Sequence, residues 1–567
     1  RRPFFVEGAD IFSGGNQQYF YSRRIGRAPQ RYAAAPENGF ADQPTGATIL
    51  GATKLTGRTA GGWSLGMLEA VTAREYATLS DSSGQLSREV VEPFTSNGVF
   101  RAKRDFQGGA STIGIIGTAL NRRIDDTRLD FLRSAAYAGG MDLTHRFSRN
   151  RFRVSASLGY SYIAGDTSAI QLAQTSSARY FNRPDASHMA FDPTRTSLTG
   201  WTGALGFARV QGNFTYSLSA GATSPGFEIN DLGYQTSADR ASLSAGGTRR
   251  WTRPGRLFRA ASLGASASAS WNHDGDRLGT GATASYSAQF LNWWGVQGNF
   301  GVTQRALSDN LTRGGPLGVV PAGWSASLRV SSDPRQRANL WGGGNVAGDE
   351  LGSWNAWVFA TLTWRPMPTV SIDLTPETSV SLTQQQYVTS STDATAAATF
   401  GRRYVFAGVL QHSAALTTRF NVTLSPTLSL QLYAQPYVAT GDYRDFKELT
   451  APRTTDYLVY GTTPGSVSTP VTNPDGSVAA YDFDPDGAGP RAASRIGNPD
   501  FSYRSLRGNA VLRWEYRPGS TLYLVWTTSC SSSGSNPAFN AGQDFRQLCQ
   551  GRSDNVFAVK FNYWLSL

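Results

Sequence analysis

Residues 510–527 read AVLRWEYRPGSTLYLVWT. Leu512, Trp514 and Tyr516 alternate with Arg513 and Glu515, Arg517-Pro518-Gly519-Ser520 turns the chain, and Leu522, Leu524 and Trp526 resume the apolar parity. Successive side chains of a strand point to opposite faces, so the stretch is a β-hairpin with one oily and one wet face. A soluble sandwich turns such an oily face inward. A membrane barrel turns it outward and keeps the polar face for its lumen.

The pattern recurs ten times, around tight turns near residues 58–62, 107–109, 148–151, 211–213, 253–256, 291–294, 333–336, 365–368, 425–426 and 517–520. Between them lie longer connections rich in Gly, Asp, Asn, Ser and Pro, the largest at 166–193, 389–401 and 441–500. Short turns alternating with long loops are the mark of an antiparallel up-and-down outer-membrane barrel, short turns periplasmic and long loops outside. If the strand at 47–56 runs downward, an upward strand must precede it, and QQYFYSRRI at 17–25 is placed there. The class is therefore all-β, a transmembrane barrel of about 22 strands. Residues 1–16 form a lead-in segment and candidate lumen plug, and residues 17–567 form the barrel.

Composition agrees with this class and excludes another. Hydrophobic residues make up 40% of the chain and mean hydropathy is −0.32. No apolar run of about eighteen residues exists, so a helical membrane protein is excluded. A net charge of +12 would suggest a nucleic-acid partner if it were clustered. The basic residues are instead scattered singly along strands, which argues against nucleic acid and for a positive lumen or contact with lipopolysaccharide and outer-membrane lipid. The lumen-facing candidates are Lys54, Arg101, Lys103, Asp373, Arg419, Arg513, Glu515 and Lys560. Trp201, Trp251, Trp271, Trp293, Trp294, Trp364 and Trp514 lie near predicted strand ends, where an interfacial girdle needs amphipathic rings. Phe557, Val559, Phe561, Tyr563, Leu565 and Leu567 alternate to the chain end, and this strand resembles the signal read by outer-membrane assembly machinery, here with Leu in the final place.

Chemistry-bearing motifs are few. Cys530 and Cys549 lie between the last two predicted strands and suggest a disulfide made in an oxidising compartment. Asp482, Asp484, Asp486 and Gly487 have the spacing of a Ca²⁺ loop, but Ala493 stands where a ligating Glu is needed and Pro485 interrupts the loop. Calcium is a candidate cofactor here, against the alternative of an acidic surface loop. His145, His188, His273 and His412 show no metal-ligand spacing. Asp185-Ala186-Ser187-His188 groups triad residue types without making a triad, so no catalytic residue is assigned and no enzyme is expected.

Four stretches carry a resemblance. They are Arg1 to Phe12 with Tyr21 to Gly26, Val91-Glu92-Pro93-Phe94, Ser224 to Gly233 (SPGFEINDLG), and Ser505 to Ser520. Spread in order along the chain, they resemble the DUF5916 family. In that family a barrel-like region usually follows a signal peptide and a carbohydrate-binding family 9-like domain. The resemblance implies an outer-membrane location in a Gram-negative-type cell and a glycan connection through that upstream periplasmic domain. Starting at Arg1-Arg2-Pro3, the chain reads as a piece beginning at a domain boundary. Three functions follow as expectations: a channel or uptake component for a polar solute, with saccharide as the candidate; a non-transporting anchor or surface-binding barrel; and a membrane-embedded hydrolase.

Overall fold

The computed structural model describes all residues except 1, 2, 7, 552 and 565–567, so Arg1, Arg2, Leu565 and Leu567 of the stretches above lie outside the described residues. The repeated alternation folds into one antiparallel sheet of twenty-two strands, from Ile49–Arg58 to Ser553–Asn562. Each of the ten tight turns joins two neighbouring strands. In the hairpin of Phe501–Arg517 and Ser520–Gly534, Leu512 pairs with Leu524, Trp514 with Leu522 and Arg513 with Tyr523. Directly paired residues share a face, so the apolar parity is continued from strand to strand.

That face is bare. Trp514, Leu524 and Trp526 are exposed, as are Val358, Leu362 and Trp364 on Trp354–Met367, Leu340 on Ala338–Asp349, and Trp324 and Leu328 on Gly323–Ser331. Trp251 is exposed at its strand end and Trp294 in its turn, whereas Trp201 is exposed in mid-strand. Trp293 lies in a turn between two guanidinium groups, 3.7 Å from Arg259 and 4.1 Å from Arg335.

The sheet departs from the sequence expectation at three places. Residues 17–25 do not form a strand: they make a single bridge, Gln18 to Tyr234, and a 3-10 turn at Ser22–Arg24. Tyr19, Phe20 and Ile25 are all buried, and a strand could bury only one parity on one face. The twenty-second strand is instead the short Tyr457–Val459, paired to Leu428–Leu449. Cys530 lies within the strand Ser520–Gly534 rather than in the loop after it, and it is disulfide-bonded to Cys549.

Three strands, Val370–Thr392, Arg402–Ser425 and Leu428–Leu449, exceed twenty residues. Their far ends join a three-stranded loop sheet, Val467–Thr472, Val478–Asp484 and Ser494–Gly497, around Val405, Phe446, Tyr460 and Phe483. A second small sheet consists of Phe40–Asp42, Glu75–Ser80 and Leu86–Glu92.

The chain divides into two compact units. The first comprises Arg1–Gly247, Ser266–Thr280 and Leu307–Leu317; the second comprises Thr248–Ala265, Gly281–Ala306 and Gly318–Leu567.

Candidate functional site

In the first unit the polar parity is covered by the chain's own N-terminal segment. Leu68 pairs with Val99, and Leu120, Ala136, Ile163 and Leu198 follow one another across neighbouring strands on that parity. Phe5, Phe12, Phe20 and Ile25 bury against them. Apolar residues on the wet parity are therefore the footprint of this segment.

The next row reads Gly66, Arg101, Ile116, Gly140, Gly159, Thr202. Its glycines supply space, because a Cβ at Gly66 would stand 3.0 Å from Ile11 and Phe12, and one at Gly159 would stand 1.8 Å from the Tyr19 hydroxyl. Burial, with the nearby Asp142 charge, pushes the Tyr19 phenol up to about 12. Arg101 is only 1% exposed and donates to both Asp142 oxygens, at 2.5 and 3.1 Å. Asn16 is hydrogen-bonded to Ser157 at 2.8 Å, and Gln17 donates to Thr202.

The loop after Phe214–Thr223 locks the segment in place. Tyr21 N–H donates to Leu232 O, Tyr234 N–H to Gln18 O, and Arg24 donates to Gly233 O and Asn230 Oδ1. Beneath it, Asp231 accepts from Arg122 at 2.8 Å and Arg133 at 2.6 Å, while Glu228 accepts from Arg179 at 2.6 Å. Burial alone would raise both carboxyls. The facing guanidinium groups outweigh it and hold both below the ordinary carboxylate range. Phe227 is fully buried where Gly200 leaves room, since a Cβ there would lie 2.0 Å from Phe227 N.

The sequence-predicted polar-face residues are found on this parity but not in one cluster. Lys54 donates to Phe4 O, and Lys103 lies 3.6 Å from Asp105. In the second unit Asp373 accepts from Thr363 and is paired in register with Arg419, Arg513 donates to Glu515 at 2.9 Å, and Lys560 stands over the Tyr523 ring.

The acidic loop is held by its own contacts. Asp482 is bonded to Arg495 through both oxygens, Asp484 accepts from the N–H groups of Asp486 and Gly487, and Asp486 accepts from Arg491 N–H. Among the described residues no group of three or more His, Cys, Asp or Glu side chains is arranged to hold a metal ion. Asp482 and Asp484 lie on the strand Val478–Asp484, and Asp486 lies in the bend just after it.

Ser187 and His188 do come close to further chemistry, through residues far away in sequence. Ser187 Oγ donates to Asp274 Oδ1 at 2.5 Å, His188 Nδ1 is 2.8 Å from Asp274 and its Nε2 2.9 Å from Asp239, and His273 Nδ1 is 2.8 Å from Asp239. Burial would raise the Asp274 carboxyl, but its bonds to Ser187 and the neighbouring His188 pull it down to about 2. The serine proton is directed to a carboxylate, and both His188 nitrogens face carboxylates. The contacts tie the loop of Ser187 and His188 to those of Asp239 and Asp274, with the Ser187 hydroxyl on a carboxylate rather than on a histidine nitrogen.

A family model described as a domain of unknown function, DUF5916, matches residues 1–567. No curated protein matches the chain. Among solved structures, an anion-selective porin from Comamonas acidovorans aligns at 13% identity over 57% of this chain and 91% of that one, with a TM-score of 0.26. The outer membrane transporter YddB from Escherichia coli aligns at 8% identity over 90% of this chain and 74% of that one, with a TM-score of 0.36.

Proposed function

We propose that this chain, which belongs to the DUF5916 family, forms a closed outer-membrane β-barrel that admits a polar solute past a built-in N-terminal plug. The observation that carries this reading is the division of the sheet's two faces. One parity bares Trp, Leu, Val and Phe along strand after strand, an arrangement that is costly in water and favourable in lipid. The other parity carries charge and hydroxyls and, in the first unit, holds the N-terminal Phe5, Phe12, Phe20 and Ile25. A plugged lumen is how a barrel of this strand number avoids a permanent wide hole.

Reconstitution into planar bilayers tests the reading. The full chain should show small or rare openings, and removal of residues 1–15 should give larger, longer ones with anion preference in a salt gradient, given the excess of basic residues. A barrel that inserts yet stays non-conducting after that deletion would overturn passage and favour the membrane-anchor reading. Failure to insert into lipid, with no heat-modifiable gel mobility, would remove the barrel itself.

A further inference from the structure

In the second unit three aromatic rings stand on the polar parity. Register places the residues of this parity in rows. Gln289, Gly295, Ser331, Trp341 and Thr361 form one; Gln297, Arg329, Gly343 and Phe359 form the next; Asn299, Ser327, Asn345 and Trp357 form the third. The rings are in contact along this diagonal. Trp341 and Phe359 centroids lie 4.6 Å apart edge-to-face, and Phe359 and Trp357 lie 4.7 Å apart and stacked. Gly343, paired with both Arg329 and Phe359, puts no side chain between them. Phe359 is buried between its neighbours, while Trp341 remains 42% exposed.

Beside Trp341 is a depression of about 390 Å³ lined by Gln289, Gln297, Arg329 and Ser331. Among the described residues the side chains of Gln289, Gln297 and Arg329 make no hydrogen bond or ion pair, and the Asn345 amide oxygen is buried without a partner. An amphipathic aromatic surface thus adjoins amide and guanidinium groups whose donors and acceptors are unspent.

We propose that this face is a binding track for a linear oligosaccharide. A pyranose ring has an apolar C–H face, which suits the exposed indole of Trp341, and a hydroxyl edge, which suits paired amide donors and acceptors and the guanidinium fork. A flat aromatic ligand would require a slot between two parallel faces, and here the rings meet one another instead. A purely anionic solute would use Arg329 but leave the aromatic line without a role. Three rows span roughly 13 Å along the strands, which fits a short chain of sugars better than a monosaccharide. As a contribution to passage the track rests on the barrel reading, whereas binding on this face does not require an open pore.

The test uses the full chain in detergent micelles, titrated calorimetrically with maltohexaose, cellohexaose, laminarihexaose and chitohexaose, and with glucose. At least one hexasaccharide should bind saturably and more tightly than glucose. Trp341→Ala should weaken that binding at least about fivefold, and Trp341→Phe should recover much of it. Trp324→Ala, on the apolar face, should bind as the parent does. Heat-modifiable gel mobility checks that each variant is folded. Absence of binding to all four hexasaccharides, or a folded Trp341→Ala chain that binds as well as the parent, overturns the proposal. Binding without conductance would sink passage and leave the track standing; conductance without binding would do the reverse.

Discussion

Arg101 and Asp142 meet over Gly114, joined by two hydrogen bonds of 2.5 and 3.1 Å, with Arg101 sealed from solvent. Removing the acid strands a buried guanidinium, which typically costs about 3–5 kcal/mol. Asp142→Ala should therefore lower the denaturation midpoint and expose the N-terminal segment to trypsin, while Asp142→Glu should restore part of the loss. An unchanged midpoint would show that the pair does not hold the segment.

Gly159 leaves the space that the Tyr19 hydroxyl fills. Gly159→Ala should dislodge the tyrosine at an overpacking cost of about 1–3 kcal/mol. Adding Tyr19→Ala to that variant should cost less than the two single changes added together, because both act on one contact. Simple additivity in a double-mutant cycle would disconnect the two residues.

Tyr19 also gives a pH dependence. Its phenol is raised from 10.0 to about 12 by burial and by the Asp142 charge. A raised folded value means that the stabilisation is fully present below pH 10 and is lost as pH rises through about 12. Proteolytic release of the N-terminal segment should therefore begin between those values, and Tyr19→Phe should remove that step. Release at pH 8 in the parent chain would contradict it.

Val358 is 54% exposed on the apolar face, whereas Asn355, on the same strand, is exposed on the polar parity. If lipid covers the first, Val358→Arg should cost about 2–4 kcal/mol in membrane-refolding titrations and Asn355→Arg close to nothing. Equal costs would mean that lipid does not cover one face alone.

The Cys530–Cys549 bond closes a loop with a sequence separation of 19, worth about 3 kcal/mol in the chain-entropy account. Reduction should free the connection holding the helix Ala541–Arg546 and raise amide exchange there, while the hairpin at 517–520 stays protected. Uniform exchange in both redox states would show that other contacts hold this connection.

How far the sequence could be read follows from where its information is local. Tight turns and period-two alternation are local, so all ten hairpins and the polar parity of Arg101, Asp373, Arg419 and Arg513 were legible. The fate of residues 17–25 was not, because QQYFYSRRI alternates well enough to pass for a strand. What withdraws it is a set of long-range partners, Leu232, Gly140 and Gly159, that no window contains. The meeting of His188 with Asp239 and Asp274 was hidden for the same reason. The aromatic track differs, since its signal was present. In WNAWVFATLTW, Trp357 and Phe359 occupy the parity opposite Val358 and Trp364, and nearness to a strand end is independent of that parity.

The glycine row beneath Ile11, Phe12 and Tyr19 also sets an order of events. Its niches at Gly66, Gly140 and Gly159 belong to separate strands, so the seat for the N-terminal segment exists only once those strands are paired side by side. Phe12 and Tyr19 therefore depend for their seat on strands that reach to Gly159, far along the chain. Phe5, Phe12, Tyr19 and Phe20 can bury there only after that pairing, so their docking is a consequence of non-local strand order rather than of local sequence.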